Sequence, residues 1–213
     1  MALSVGELGV EDSRADILRA AAACFLERGY AVTSIDDVAR ALGATKGRIY
    51  HHFPSKADLF AEVFRTGIDM IYAAIAPCRD MPGPAVERWK KMATIHVRLM
   101  IDTKSFQRAV WEGVEMHLRG STTPQQRDVF GKLLEDRTKY GNIFRETIAE
   151  AQREGAMRFA NLSIANQLMF MTLNSPIFWY TPRDGETSED IDRIVEQVVA
   201  YALGGLGATE GTV

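Results

Sequence analysis

At 213 residues, with 25 Lys and Arg against 28 Asp and Glu, the chain has a formal net charge of −3, so any polyanion it holds must be met by a local patch and not by a basic chain. A hydrophobic fraction of 46% with 25% charged residues is ordinary for a globular protein and excludes disordered or fibrous classes. No run of about 18 apolar residues and no basic, apolar, small-residue leader is present, so the expected location is the cytoplasm, with the nucleoid.

In chain order, residues 1–12 lack periodicity and read as a loose arm. A first helix follows with Leu18, Ala21, Ala22 and Phe25 on one stripe and Gly29 at its end. Cys24 reads as a small core residue on it; with Cys78 it forms no framework and has no metal-ligand spacing to histidine, so no metal or other cofactor is expected.

The next stretch is the most informative. Ser34 and Asp37 have capping-box spacing, with Asp shorter than the usual Glu or Gln, and Ile35, Val38, Ala39 and Leu42 form one apolar face. Gly43 then suits a left-handed helix end, and Thr45 caps a helix that Pro54 stops. With Ile49 as the anchor, Gly47 and His51 lie roughly opposite, flanked by Arg48 and Tyr50, a face suited to phosphates and base edges. Ser55 with Asp58 caps a third helix and places Lys56 in its first turn, where a phosphate shared by lysine and free amides explains the cation. From Arg40 to Lys56 the basic residues are Arg40, Lys46, Arg48 and Lys56, with no acid between them. The spacing predicts a helix-turn-helix that grips duplex DNA.

Cys24-Phe-Leu-Glu-Arg-Gly-Tyr30, Thr33-Ser-Ile-Asp-Asp-Val-Ala39 and Gly43-Ala-Thr-Lys-Gly-Arg-Ile-Tyr-His-His-Phe-Pro-Ser-Lys56 together resemble the N-terminal domain of the TetR/AcrR family of transcriptional regulators. The resemblance implies that Thr33 contacts a phosphate and that Lys46, Gly47, Arg48, Tyr50, His51 and Lys56 face DNA beside the cap Thr45. Arg48 stands where the family often has a small residue, and its fork suits guanine.

The rest of the chain predicts further helices. One runs from Ser55 to Pro77, a Pro77–Pro84 loop follows, and helical patterns continue at about 84–102, 104–119, 124–154, 161–180 and 188–206. Pro176 is expected to kink the fifth of these beside Asn174. The fold class is all-α: an N-terminal three-helix bundle with the helix-turn-helix, plus a larger C-terminal helical ligand-binding and dimerisation domain, about nine helices in all. The domains are 1–12 arm, 13–60 DNA-binding and 61–213 ligand-binding and dimerisation.

Two helices have stripes wider than one neighbour needs. Leu168 and Met171 on one, and Ile191, Val195, Val198, Val199 and Ala202 on the other, predict a homodimer through a paired four-helix interface, as the resemblance also implies. Such a dimer reads a pseudo-palindromic operator. Trp89, His96, Met100, Trp111, Glu115, Tyr140, Phe144, Phe170, Asn174 and Phe178, with Met92, Phe106, His117 and Tyr180 nearby, supply aromatic surface with sparse polar groups, the composition of a small-molecule pocket as well as of plain core. Asn174 with Trp179-Tyr180-x-Pro182 is also similar to a TetR branch that represses fatty-acid or steroid catabolism genes and responds to acyl-CoA thioesters, although Ser175 and Phe178 depart from its pattern. The expected function is a ligand-responsive regulator, a repressor that releases its operator when a hydrophobic effector such as an acyl-CoA binds. The alternatives are an effector-independent DNA-binding protein and an α-helical enzyme; no His-Glu-x-x-His, phosphate loop or nucleophile elbow supports the latter.

Overall fold

The structure, a computed structural model, describes the backbone of residues 5–120 and 124–208 and the side chains of residues 13–120 and 127–208. All regular structure among the described residues is helical: α1 (Val5–Val32), α2 (Ile35–Ala41), α3 (Lys46–His52), α4 (Lys56–Arg79), α5 (Ala85–Asp102), α6 (Lys104–Leu118), α7 (Pro124–Arg153), α8 (Leu162–Asn174), α9 (Pro176–Trp179) and α10 (Ser188–Gly205). None of the described helices is long and apolar enough to cross a membrane.

Three boundaries differ from the sequence reading. The backbone of α1 is helical from Val5, inside the expected loose arm, because extending a nucleated helix needs only one hydrogen bond per added residue and no apolar stripe. Pro77 lies within the last turn of α4 and does not end it. Pro176 ends α8 instead of kinking a continuous helix: it takes the first position of the single turn α9, where a missing N–H costs nothing.

The chain divides into two compact units, Met1–Ile68 with Ser105–Leu134, and Asp69–Lys104 with Glu135–Val213. The helix-turn-helix is thus part of a body wider than 13–60, which includes α6 and the start of α7. In that first unit Ile17, Ala21, Ala22 and Phe25 of α1, Val38 of α2, Ile49 of α3 and Leu59, Phe60, Val63 and Phe64 of α4 are buried. Fully removing a side chain such as Phe60 from water contributes about 2 kcal/mol before entropy is counted. Phe60 stacks edge-on against Phe25 at 5.1 Å and Phe130 at 6.0 Å between centroids. Two glycines bring α4 and α6 together. A Cβ on Gly113 would stand 2.5 Å from the Phe64 ring, and one on Gly67 would stand 2.8 Å from Val110 and 3.2 Å from the Phe106 carbonyl oxygen. The buried Gln107 amide donates to the Gly67 carbonyl at 3.0 Å across this crossing.

In the second unit α5 is central and packs on α8, α9 and α10. Trp89, Met92, Ala93, His96, Val97 and Met100 form its buried stripe. Tyr140, Phe144, Ile148 and Ala151 are buried on α7. α10 begins with a capping box of Thr187 and Asp190 and packs on both α5 and α8.

Candidate nucleic-acid interface and effector core

The α2–α3 corner is built from local hydrogen bonds. Asp37 N donates to Ser34 Oγ at 3.2 Å and Ser34 N donates to Asp37 Oδ2 at 3.0 Å, so the shorter acid does close the capping box. The Ser34 hydroxyl and amide, then Arg28 and Arg40, hold the Asp37 carboxyl down at about 2. Gly43 takes φ 64°, the left-handed end expected of it. Thr45 caps α3 by accepting from Arg48 N. Ile49 is fully buried, which turns Thr45, Lys46, Gly47, Arg48, Tyr50 and His51 outward to solvent.

The groups on this face are held lightly. Lys46 pairs with Asp36 at 2.6 Å, with both side chains about half exposed, and Arg40 pairs with Asp37 at 3.2 Å. Exposed pairs of this kind contribute about 0–1 kcal/mol, so a phosphate can displace them at small cost. Arg48 Nε donates to Ser13 Oγ at 3.1 Å, and among the described residues its two terminal nitrogens make no further hydrogen bond. Among the described residues a Cβ on Gly47 would meet only Thr45 Oγ1, at 3.8 Å, so none of them requires glycine there.

The second unit holds a buried polar relay within aromatic walls. His96 Nε2 lies 2.9 Å from Asn174 Oδ1, and His96 Nδ1 is hydrogen-bonded to the Tyr140 hydroxyl. Burial pushes His96 down to about 4, against the smaller opposing effect of Asn174, so the ring is neutral at pH 7. A neutral imidazole has one donor: Nε2–H gives to Asn174, and bare Nδ1 accepts from Tyr140. The His96 ring lies 5.8 Å from those of Tyr140 and Phe144 and 5.9 Å from that of Phe170. Trp89 Nε1 donates to Met169 Sδ at 3.1 Å, and Met100 is buried on the same helix. The expected pocket residues Trp89, His96, Met100, Tyr140, Phe144, Phe170 and Asn174 thus share one unit. Trp111 and Glu115, with Phe106 and His117, belong to the first unit, and Glu115 pairs with Arg119 at 3.5 Å. Phe178 is on the surface. Periodicity identifies which face of a helix is apolar but not which neighbour covers it, hence this division.

Between α8 and α10 lies a groove of about 650 Å³ whose lining includes Leu168, Met171, Val198, Tyr201 and Ala202. Leu168, Met171 and Tyr201 are 63%, 55% and 74% exposed, with Ile164 beside them at 59%. Val195, Val198, Val199 and Ala202, expected at a dimer interface, are buried within the single chain, and Ile191 is half-buried. The breadth of the α10 stripe is accounted for by its two neighbours α5 and α8. The free apolar surface belongs mainly to α8.

Residues 17–63 match the model of the bacterial regulatory proteins of the tetR family, and residues 82–206 match the tetracyclin repressor-like C-terminal domain. The chain belongs to the TetR family of transcriptional regulators. It is similar to the HTH-type transcriptional repressor KstR2 of Mycolicibacterium smegmatis, at 23% identity over 93% of this chain and 92% of that one. The solved ketosteroid transcriptional regulator KstR2 of Mycobacterium tuberculosis has a similar fold, with a TM-score of 0.77 at 22% identity over 92% and 95% of the two chains. So has AibR in its complex with isovaleryl coenzyme A and operator DNA, with a TM-score of 0.71 at 22% identity over 91% and 97%.

Two residues of this TetR-family chain are placed differently from the sequence reading. Thr33 is 1% exposed, and its hydroxyl donates to the Gly29 carbonyl at 2.7 Å and lies 3.2 Å from the Cys24 carbonyl, so it is turned into the chain. Lys56 Nζ donates to the carbonyls of Tyr30 at 2.8 Å, Ala31 at 3.2 Å and Thr33 at 2.9 Å, and stands 4.4 Å above the Tyr30 ring. An ammonium has three donors, and all three are used. The cation in the first turn of α4 is explained by the carbonyls that end α1, with no phosphate needed. Glu112 of α6 completes this corner by accepting from Tyr30 N at 2.7 Å. Sequence reasoning missed Ser13, Glu112 and Asp36 because their partners lie far along the chain or, for Asp36, across a turn. No helical spacing marks such pairs.

Proposed function

We propose that this TetR-family regulator is a ligand-responsive repressor that binds a pseudo-palindromic operator as a homodimer and releases it when an apolar effector, such as an acyl-CoA thioester, occupies the second unit. The observation that carries the reading is the α3 face: Lys46, Gly47, Arg48, Tyr50 and His51 project from a short helix fixed by buried Ile49. A forked cation, a phenol and an imidazole beside a bare backbone form a surface for phosphates and base edges. The exposed α8 patch supports a second copy, and a two-fold pair sets two recognition helices one DNA turn apart. Repression is supported by the name of KstR2, and an acyl-CoA effector by the isovaleryl coenzyme A held by AibR. By linkage, an effector that releases DNA must bind the free protein more tightly than the DNA complex, and DNA must weaken its binding by the same factor.

The test begins with enrichment of operator sequences from random duplexes, with light scattering to count the chains bound. Arg48→Ala is then compared with wild type on operator and on unrelated duplex. The expected result is two chains per palindrome and a loss of tenfold or more on operator, with little loss on unrelated DNA. Equal loss on both duplexes refutes base reading by Arg48; failure to enrich any palindrome refutes the operator model.

A further inference from the structure

A guanidinium withdrawn from water normally lies against a carboxylate or a set of carbonyls, because an isolated buried charge is expensive. Arg137 departs from that rule. It lies on α7 three residues before Tyr140 and seven before Phe144, on the stripe those buried side chains carry into the aromatic core of the second unit. It is only partly exposed, and it makes no hydrogen bond or ion pair among the described residues. Desolvation lowers its pKa, and no carboxylate opposes that shift. Its charge reaches the polar relay, lowering the proton affinity of both His96 and Tyr140. Neither is its counter-ion: burial keeps the Tyr140 phenol protonated and the His96 ring neutral.

We infer that Arg137 receives the negative group of the effector, which is an amphipathic anion with a carboxylate or phosphate at the guanidinium and an apolar body along the aromatic cluster. The inference rests on the reading of the second unit as the effector domain and adds the ligand's charge and the residue that meets it. Tyr140 donates to His96 and His96 to the Asn174 carbonyl oxygen, so these neutral groups supply orientation and polarity but no positive charge. Arg137 is the cation whose charge acts on both His96 and Tyr140. Phe170 and Asn174, partly exposed like Arg137, are members of the cluster that a ligand can reach without unfolding it.

The test uses the full chain and calorimetric titration with decanoate, decanoyl-CoA and the neutral decan-1-ol, on wild type and Arg137→Met. At least one anion should bind tenfold or more tightly than decanol to wild type, and the variant should lose that preference while its affinity for decanol stays unchanged. Decanoate separates a free carboxylate from the phosphates carried by decanoyl-CoA. A second readout needs no ligand: replacing an unpaired, desolvated cation by methionine should raise the thermal midpoint of the free protein. A fall in that midpoint, a preference that survives in the variant, or anion binding no tighter than decanol binding overturns the inference. The broader effector reading fails separately, if no member of a wide apolar panel changes operator affinity.

Discussion

Gly47 separates folding from DNA binding within one residue. It is the second residue of α3, its φ is not positive, and the space where a Cβ would stand is open except for Thr45 Oγ1 at 3.8 Å. Glycine in a helix costs about 0.5–1 kcal/mol relative to alanine, so Gly47→Ala should stabilise the free protein by roughly that amount. In a chain of this length the gain corresponds to about 2–4 °C in thermal midpoint at its upper end. On DNA the sign reverses. If the α3 face lies against the duplex, the added methyl occupies space that the phosphates or base edges need, and a loss of only about 1.4 kcal/mol already weakens binding tenfold. Calorimetric unfolding and fluorescence anisotropy on enriched operator measure the two effects on the same preparation. A variant that is more stable and binds operator at least as well as wild type refutes the placement of this face on DNA.

Two further outcomes follow from the geometry. Lys56→Met should lower unfolding stability by about 2 kcal/mol, since it leaves the Tyr30, Ala31 and Thr33 carbonyls without their charged donor; the slope of operator affinity against salt should not change, whereas loss of a phosphate contact would reduce it by about one. His96, ordinarily near 6.5, titrates at about 4 in the folded chain, so its neutral form contributes stability that is fully present above 6.5 and is lost as pH falls from 6.5 toward 4. Denaturant unfolding at pH 7 and pH 5 should therefore differ by about 2 kcal/mol more in wild type than in His96→Gln; equal differences would show that the imidazole is not held neutral.

The local architecture was largely legible. Ser34 with Asp37, Gly43, Thr45 and Pro54 each carry a boundary in a side chain or a φ preference within four residues of its effect, and α5, α6, α7, α8 and α10 begin within one residue of the expected 84, 104, 124, 161 and 188, although the expected 161–180 helix divides before Pro176. What escaped was contact at a distance. Lys56 and Thr33 show one polar side chain each in the sequence, and nothing local tells whether a phosphate or a backbone carbonyl receives it. The wide stripe of α10 had two explanations, a partner chain or a second helix of its own chain, and the stripe alone does not show that α5 and α8 both pack on it. The aromatic residues of α5, α7 and α8 were recognised as a group, but the direction of hydrogen bonding through His96 required the positions of Asn174 and Tyr140. Arg137 gave no signal, because its distinguishing property is a missing partner.

The crossing of α4 and α6 sets what kinds of motion the first unit can make. At Gly67 and Gly113 one side of the contact is bare backbone: a Val110 methyl and the Phe106 carbonyl lie directly on the first and the Phe64 ring on the second, and Gln107 fastens the joint. Where side chains from both helices interdigitate, both can change rotamers; here a glycine on one side has none to change, and the contact is too close for the other side to turn freely. The two helices therefore behave as one rigid strut, and a signal that re-aims α4 must carry α6 with it, together with the Glu112 carboxylate that grips the end of α1.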